Sequence, residues 1–215
     1  MKITQPRLAK ILHEDVSIET ALEKNEEDLI EYAFKNQLIE ELQKSNLSVQ
    51  SCLFANCYFQ GCYIKKSQFS DIVFRNCDLS NVKLTGCGFH RVEFIGCKLI
   101  GTNFSDGIFN HVLFRECKGD YINFSMSKLG HVDFINCDLR NAGMEDCQFS
   151  YINFEKCNLT ESEFYHTKLK GIDFSSSEIS GIRVSAPTVS ELRGVSVTSL
   201  QALELARILG ITIKE

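Results

Sequence analysis

Along most of the chain the large apolar residues recur at every fifth position. From Phe54 the series runs Phe59, Ile64, Phe69, Phe74, Leu79, Leu84, Phe89, Phe94, Leu99, Phe104, Phe109 and Phe114, and after Gly119 it resumes from Phe124 to Val184. Of these 27 positions, 26 carry a large apolar side chain. A helix repeats its buried face every 3.6 residues and a strand every second residue, so neither accounts for a period of five. Two places before each of these residues stands a small or β-branched one. All ten cysteines fall in that register, at 52, 57, 62, 77, 87, 97, 117, 137, 147 and 157.

A period of 20 lies over the period of five. Phe54, Phe74, Phe94, Phe114, Phe134, Phe154 and Phe174 are all phenylalanine, and Cys57, Cys77, Cys97, Cys117, Cys137 and Cys157 are all cysteine. Ile72, Val92, Val112, Val132, Ile152 and Ile172 are all β-branched. Such nesting predicts a coil with four sides, one pentapeptide to each side. Identical side chains then stack from coil to coil at about 4.8 Å, the spacing of paired strands. The inward columns fill the interior and leave neither pore nor cleft.

Composition adds the compartment. The chain has 215 residues, 44% of them apolar, and a net charge of -5, which suits a globular protein. Its apolar runs are too short to span a membrane. The start, MKITQPRLAKILHEDV, lacks the apolar stretch of a signal peptide, so a cytoplasmic protein with reduced thiols is expected. The cysteines then read as small core residues. Zinc is the competing reading, but CxxC spacing is absent and no histidines accompany the five-residue step.

The pentapeptides CDLSN (77–81), CKLIG (97–101), TNFSD (102–106), CDLRN (137–141), CNLTE (157–161) and IDFSS (172–176) resemble the motif of the pentapeptide repeat family. The resemblance covers roughly 52–185. It implies an all-β fold, a right-handed quadrilateral parallel β-helix of about seven to eight coils with a C-terminal α-helix. The chain divides into an N-terminal cap or arm (1–28), a segment at 29–50, the repeat β-helix (51–186) and a C-terminal cap (187–215). Two readings of 29–50 stand open. Asn25-Glu26-Glu27-Asp28 resembles a helix start, with DLIEYAFKNQLIEELQ as an amphipathic helix. Alternatively Leu29, Phe34, Ile39 and Val49 continue the five-residue register as a degenerate first coil.

At the other end Pro187 breaks the register. Thr198-Ser199-Leu200-Gln201 has the form of a capping box, and Gly210 is a plausible stop for the helix it opens. LELARILGI (203–211) is similar to the ending of the Qnr and Mfp branch of the family, whose dimers join through their C-terminal ends. By that resemblance Leu200, Leu203, Ala206, Leu209 and Ile211 are the expected homodimer contacts, and Ile211-Thr212-Ile213 a short added strand.

Enzyme motifs are missing: no P-loop, GxSxG, HExxH or dinucleotide fingerprint occurs, and no cofactor is implied. His111 and His131 stand 20 apart and should stack on one corner, with Arg91 below and Tyr151 above; a solvated ladder is the simpler reading and a metal site the rival one. Charge is the remaining signal. Between 133 and 178 nine carboxylates face four basic residues, whereas 51–132 holds six acids against nine basic residues. An acidic rod attracts a basic surface and repels nucleic acid. The Qnr and Mfp proteins are understood to engage DNA gyrase or topoisomerase IV as DNA-like bodies, several protecting the enzyme from quinolones. The resemblance implies the same partner here, through Asp133, Asp138, Glu145, Asp146, Glu155, Glu161, Glu163 and Asp173, with no direct nucleic-acid or membrane contact.

Overall fold

In a computed structural model the chain is described over residues 3–25, 28–185, 190–208 and 210–214. The expected break at Pro187 and the acidic pair Glu26-Glu27 lie outside the described residues. The elements in chain order are α1 (Ile18–Asn25), β1 (Asp28–Ile30), β2 (Ala33–Lys35), β3 (Leu38–Glu40), β4 (Gln43–Ser45), β5 (Ser48–Ala55), β6 (Tyr58–Gln60) and β7 (Tyr63–Lys65). They continue with β8 (Gln68–Arg75), β9 (Gly88–Ile95), β10 (Ile108–Arg115), β11 (Lys128–Ile135), β12 (Gln148–Glu155) and α2 (Ser199–Ile208).

The strands wind into a right-handed four-sided parallel β-helix. Every pairing between these strands joins residues 20 apart, as in Phe94↔Phe114 and Val112↔Val132, so the sequence period is the coil. Of the two readings of 29–50, the structure has the coil: β1 pairs with β5, β2 with β5, β3 with β6 and β4 with β7, each in the same register.

The phenylalanine rings stack at the spacing of the paired strands. The rings of Phe74, Phe94, Phe114 and Phe134 follow one another at 4.9, 4.8 and 4.8 Å, within 8° of parallel. Neighbouring sides meet edge-on, as Phe104 does with Phe89 at 5.4 Å and 81°. Offset-parallel and edge-to-face pairs are the geometries that ring quadrupoles favour. Each buried ring contributes about 1.5–3 kcal/mol through water exclusion. Buried side chains from Ile18 to Val184 form one continuous cluster that fills the interior, with a void of about 20 Å³ lined by Ile18, Leu29, Phe54 and Phe59 among others.

All ten cysteines are buried and unbridged. Their register has a second reason besides size. The side chain there donates to a carbonyl of the preceding coil: Cys77 Sγ to Phe54 O (3.4 Å), Cys97 Sγ to Phe74 O (3.5 Å), Thr102 Oγ1 to Leu79 O (2.8 Å) and Ser162 Oγ to Leu139 O (2.8 Å). Cysteine, serine and threonine share that donor, which is why they interchange in the column.

Each corner needs a left-handed residue. Asn76, Asn81, Asp106, His111 and His131 have φ of 52°, 60°, 59°, 57° and 57°. Asparagine, aspartate and glycine tolerate this region, and bulkier residues cost about 1–2 kcal/mol there. Two adjoining sides carry the continuous eight-residue strands. The other two change from strands to hydrogen-bonded turns after β7, as in Val82 N to Leu79 O (3.1 Å) and Thr102 N to Leu99 O (3.1 Å).

The strand sides stop abruptly. In the last coil Leu169–Ile172 closes into a turn, Ile172 N to Leu169 O at 3.1 Å, which re-aims its peptide groups. No backbone ladder joins β12 to residues 168–175; Leu169, Gly171 and Phe174 donate instead to Glu191, Gly194 and Ser196. The ring spacing opens to 5.8 Å between Phe154 and Phe174, and Phe149 and Ile152 become partly exposed. The opposite sides stay joined there, for example by Glu178 N to Cys157 O at 2.8 Å.

Both ends are closed. At the N-terminus α1 buries Ile18, Ala21 and Leu22 against the first coil. At the C-terminus the capping box forms: Gln201 N takes Thr198 Oγ1 at 3.2 Å and Thr198 N takes Gln201 Oε1 at 2.8 Å. Gly210, at φ 72°, donates to Arg207 O at 2.9 Å and ends the helix turn. Residues 211–214 form no strand, which corrects the expectation for Ile211-Thr212-Ile213. No helix among the described residues is long and apolar enough to cross a membrane.

Candidate interaction surfaces

A solid rod offers its skin, its corners and its ends. The eight carboxylates expected to meet a partner all lie on the final coils, but they divide among three sides and their corners. Asp133, Glu155 and Asp173 share the side centred on the long phenylalanine column. Asp138 lies on the next side, and Glu145 and Glu163 on the one after it, with Glu161 and Asp146 at its corners. Asp146, Glu155, Glu161 and Asp173 are exposed, while Asp133, Asp138, Glu145 and Glu163 are half-buried.

Basic partners neutralise part of this charge. Arg140 holds Asp138 at 2.8 Å and reaches Asp120 at 3.7 Å. Arg183 holds Glu163 at 2.6 Å and reaches Glu161 at 3.5 Å. His166 meets Asp146 at 3.1 Å. Glu155 and Asp173 make no ion pair among the described residues. Burial raises the Asp133 carboxyl above its ordinary range, and burial followed by the nearby Glu163 charge does the same for Glu145.

A second surface is the corner between the two strand sides, the column Ser51, Asp71, Arg91, His111, His131 and Tyr151. Arg91 grips Asp71 with two 2.6 Å bonds, from Nε to Oδ1 and from Nη2 to Oδ2. Its Nη1 also points at His90 Nε2. Burial alone would raise the Asp71 carboxyl, but Arg91 and the Arg7 backbone N–H hold it below the usual range. His111 stacks on His131 at 4.7 Å, and His131 on Tyr151 at 4.7 Å and 25°. No group of three metal-ligating side chains gathers among the described residues, there or elsewhere.

An extended arm, residues 3–13, runs along this corner across the strands. Thr4 N donates to His111 Nδ1 (3.3 Å), Arg7 N to Asp71 Oδ1 (2.8 Å) and Ala9 N to Ser51 Oγ (2.8 Å). His13 then enters the first coil, donating to Glu31 O at 2.7 Å and accepting from Ala33 N at 2.9 Å. Of the expected cap or arm, residues 3–13 are the arm and α1 the cap; the repeat pattern does not foresee the arm's course, because it binds through backbone N–H groups that any sequence carries.

The third surface is the outer face of α2. Leu205 and Ile208 pack on the core, whereas Leu200 (76% exposed), Leu203 and Ile211 face outward. Ala206 is half-buried and Leu209 lies outside the described residues. Leu200, Leu203 and Ile213 line an open hollow of about 510 Å³ with Glu178, Ile179 and Arg207.

Comparison with known proteins follows this geometry. Residues 87–164 match the model described as Pentapeptide repeat region, and residues 52–91 the one described as Pentapeptide repeats (8 copies). No curated protein matches the sequence. Among solved structures, full-length QnrB1, a plasmid-mediated fluoroquinolone resistance protein, is 14% identical, covering 83% of this chain and 100% of its own, with a TM-score of 0.34. HetL, a pentapeptide repeat protein involved in heterocyst differentiation regulation from Nostoc sp. strain PCC 7120, is 12% identical over 84% of this chain and 94% of its own, with a TM-score of 0.40. Rfr23, from the cyanobacterium Cyanothece 51142, is 10% identical over 85% of this chain and 100% of its own, with a TM-score of 0.26. With its 20-residue coil, its stacked phenylalanines and these two adjoining matches, the chain belongs to the pentapeptide repeat proteins.

Proposed function

We propose that the protein is a non-enzymatic, dimeric interaction rod whose acidic C-terminal half docks on a positively charged protein surface, with DNA gyrase or topoisomerase IV as the candidate partner. The observation that carries this reading is the solid interior combined with outward carboxylates at Asp146, Glu155, Glu161 and Asp173. Catalysis needs a concave site with convergent groups, and a filled tube presents an outer surface instead. Joining two rods through Leu200, Leu203 and Ile211 places the acidic halves side by side. The charge there doubles, and its field favours a basic saddle over nucleic acid. Protection of such an enzyme from quinolones is the finer form of the same reading.

Binding should weaken steeply with salt, since screening acts on exposed charge. Replacing Asp146, Glu155, Glu161 and Asp173 with lysine should lower the affinity for purified gyrase at least tenfold and flatten its salt dependence. Supercoiling assays with and without drug then separate protection from inhibition. Gyrase binding untouched by the four reversals removes the mechanism.

One observation favours a different reading, a general scaffold for another protein. Arg140 and Arg183 already engage Asp138, Glu161 and Glu163, so a partner could recognise the shape of a side more than the net field. A partner retained at high salt would support it.

A further inference from the structure

The column beneath the arm is chemically odd. Corner residues sit at left-handed φ, where asparagine, aspartate or glycine serves best, yet this corner holds Arg91, His111, His131 and Tyr151 in succession. Their side chains face the arm or the stack beside it, and the arm's outermost described bond ends on a titratable ring. In the bond from Thr4 to His111 the amide donates, so Nδ1 is bare and the ring proton sits on Nε2. Adding a proton to His111 converts that acceptor into a donor and breaks the bond.

The surroundings make the added charge unwelcome. From β9, His90 and Arg91 face the His111 ring; from β11, His131 stacks on it. From β8 the one nearby acid, Asp71, is already gripped by Arg91. The arm itself brings Arg7 and Lys10 and, between residues 3 and 13, no carboxylate. Nothing described is left to neutralise a second cation in the column.

We propose that the arm is an acid-released strap: protonation of His111, which lies against His131, detaches residues 3–9 and uncovers the corner formed by Ser51, Asp71 and His111. Burial, then the charges of His131, His90 and Arg91, hold the His111 ring below the ordinary histidine range. The Thr4 N–H donated to Nδ1 favours the neutral ring, so His111 binds fewer protons with the arm docked than with it released. Docking is therefore complete above the free value and is lost as pH falls below it through the depressed one. The Asp71 and Ser51 anchors do not titrate in that window, so release begins at Thr4 and spreads toward Ala9.

The test is amide hydrogen exchange at Thr4, Arg7 and Ala9 in the full chain at neutral and mildly acidic pH, always relative to His111→Asn at the same pH. Asparagine places Oδ1 near the position of Nδ1, does not titrate and tolerates the left-handed corner. Relative protection of Thr4 in the native chain should fall about tenfold per pH unit for each proton taken up. His111→Asn should hold its arm at both pH values. Equal protection in the native chain across the range, or a His111→Asn arm that is lost as readily as the native one, overturns the proposal.

Discussion

Replacing Phe114 with alanine tests how the rod is held together. Its ring is 1% exposed and lies between Phe94 and Phe134, both at 4.8 Å, with Phe124 edge-on at 5.7 Å. Truncation removes the burial of one ring and leaves a cavity that stacked coils cannot close, because both neighbours are fixed by strand ladders. The expected cost is about 3–5 kcal/mol. Of that, each parallel pair carries about 0.5–1.5 kcal/mol beyond burial, which a double-mutant cycle with Phe134→Leu isolates. Phe174→Ala gives the contrast: its ring has one stacked neighbour, at 5.8 Å, and should cost clearly less. Guanidinium unfolding of the native chain, the three single variants and the double mutant provides the measurement, with the slope compared to confirm a common transition. A Phe114→Ala loss below about 1 kcal/mol, or no difference between the two positions, would refute nearest-neighbour stacking as the main source of stability.

Thiol reagents should find no reactive cysteine in the native protein at pH 8 and all ten in denaturant. Burial pushes Cys52 and Cys87 up to about 11 and Cys147 up to about 12, so their thiolates are scarce. Asp71→Asn should destabilise the rod by about 2 kcal/mol at neutral pH by weakening the charged grip of Arg91. Because the Asp71 carboxyl is held below its free range, that difference should be complete above the free value and vanish as pH falls through the lowered one, as followed by thermal melts. Leu203→Glu should convert a dimer to monomer in sedimentation without lowering the melting temperature of the rod; an unchanged sedimentation coefficient argues against α2 as the junction.

What could be read in the sequence was whatever repeats or is local. The phenylalanine and cysteine columns, their register and the four-sided coil follow from spacing alone, since each side chain meets its own kind 20 residues on. The box at Thr198 and Gln201 was legible because its partners are three residues apart. The switch from strand to turn was not, because CDLSN and VEFIG differ little in pattern while their peptide groups point differently. The same limit hid where the expected arm docks, since its partners at Asp71 and His111 are 64 and 107 residues away. For the acidic region, spacing gave the coil of each carboxylate, but the neutralising reach of Arg140 and Arg183 appears only when adjacent coils are assembled.

The missing ladder after β12 has a mechanical meaning. A stack of equal tiers parts where the fewest fasteners cross the plane, and here two walls of the four lack theirs. Pulled lengthwise, the tier from Leu169 onward should lift away together with α2, hinging on the still-joined walls. The tiers from β1 to β12 would remain upright, so the rod is built with a predetermined breaking point close to the end that carries its outward leucines.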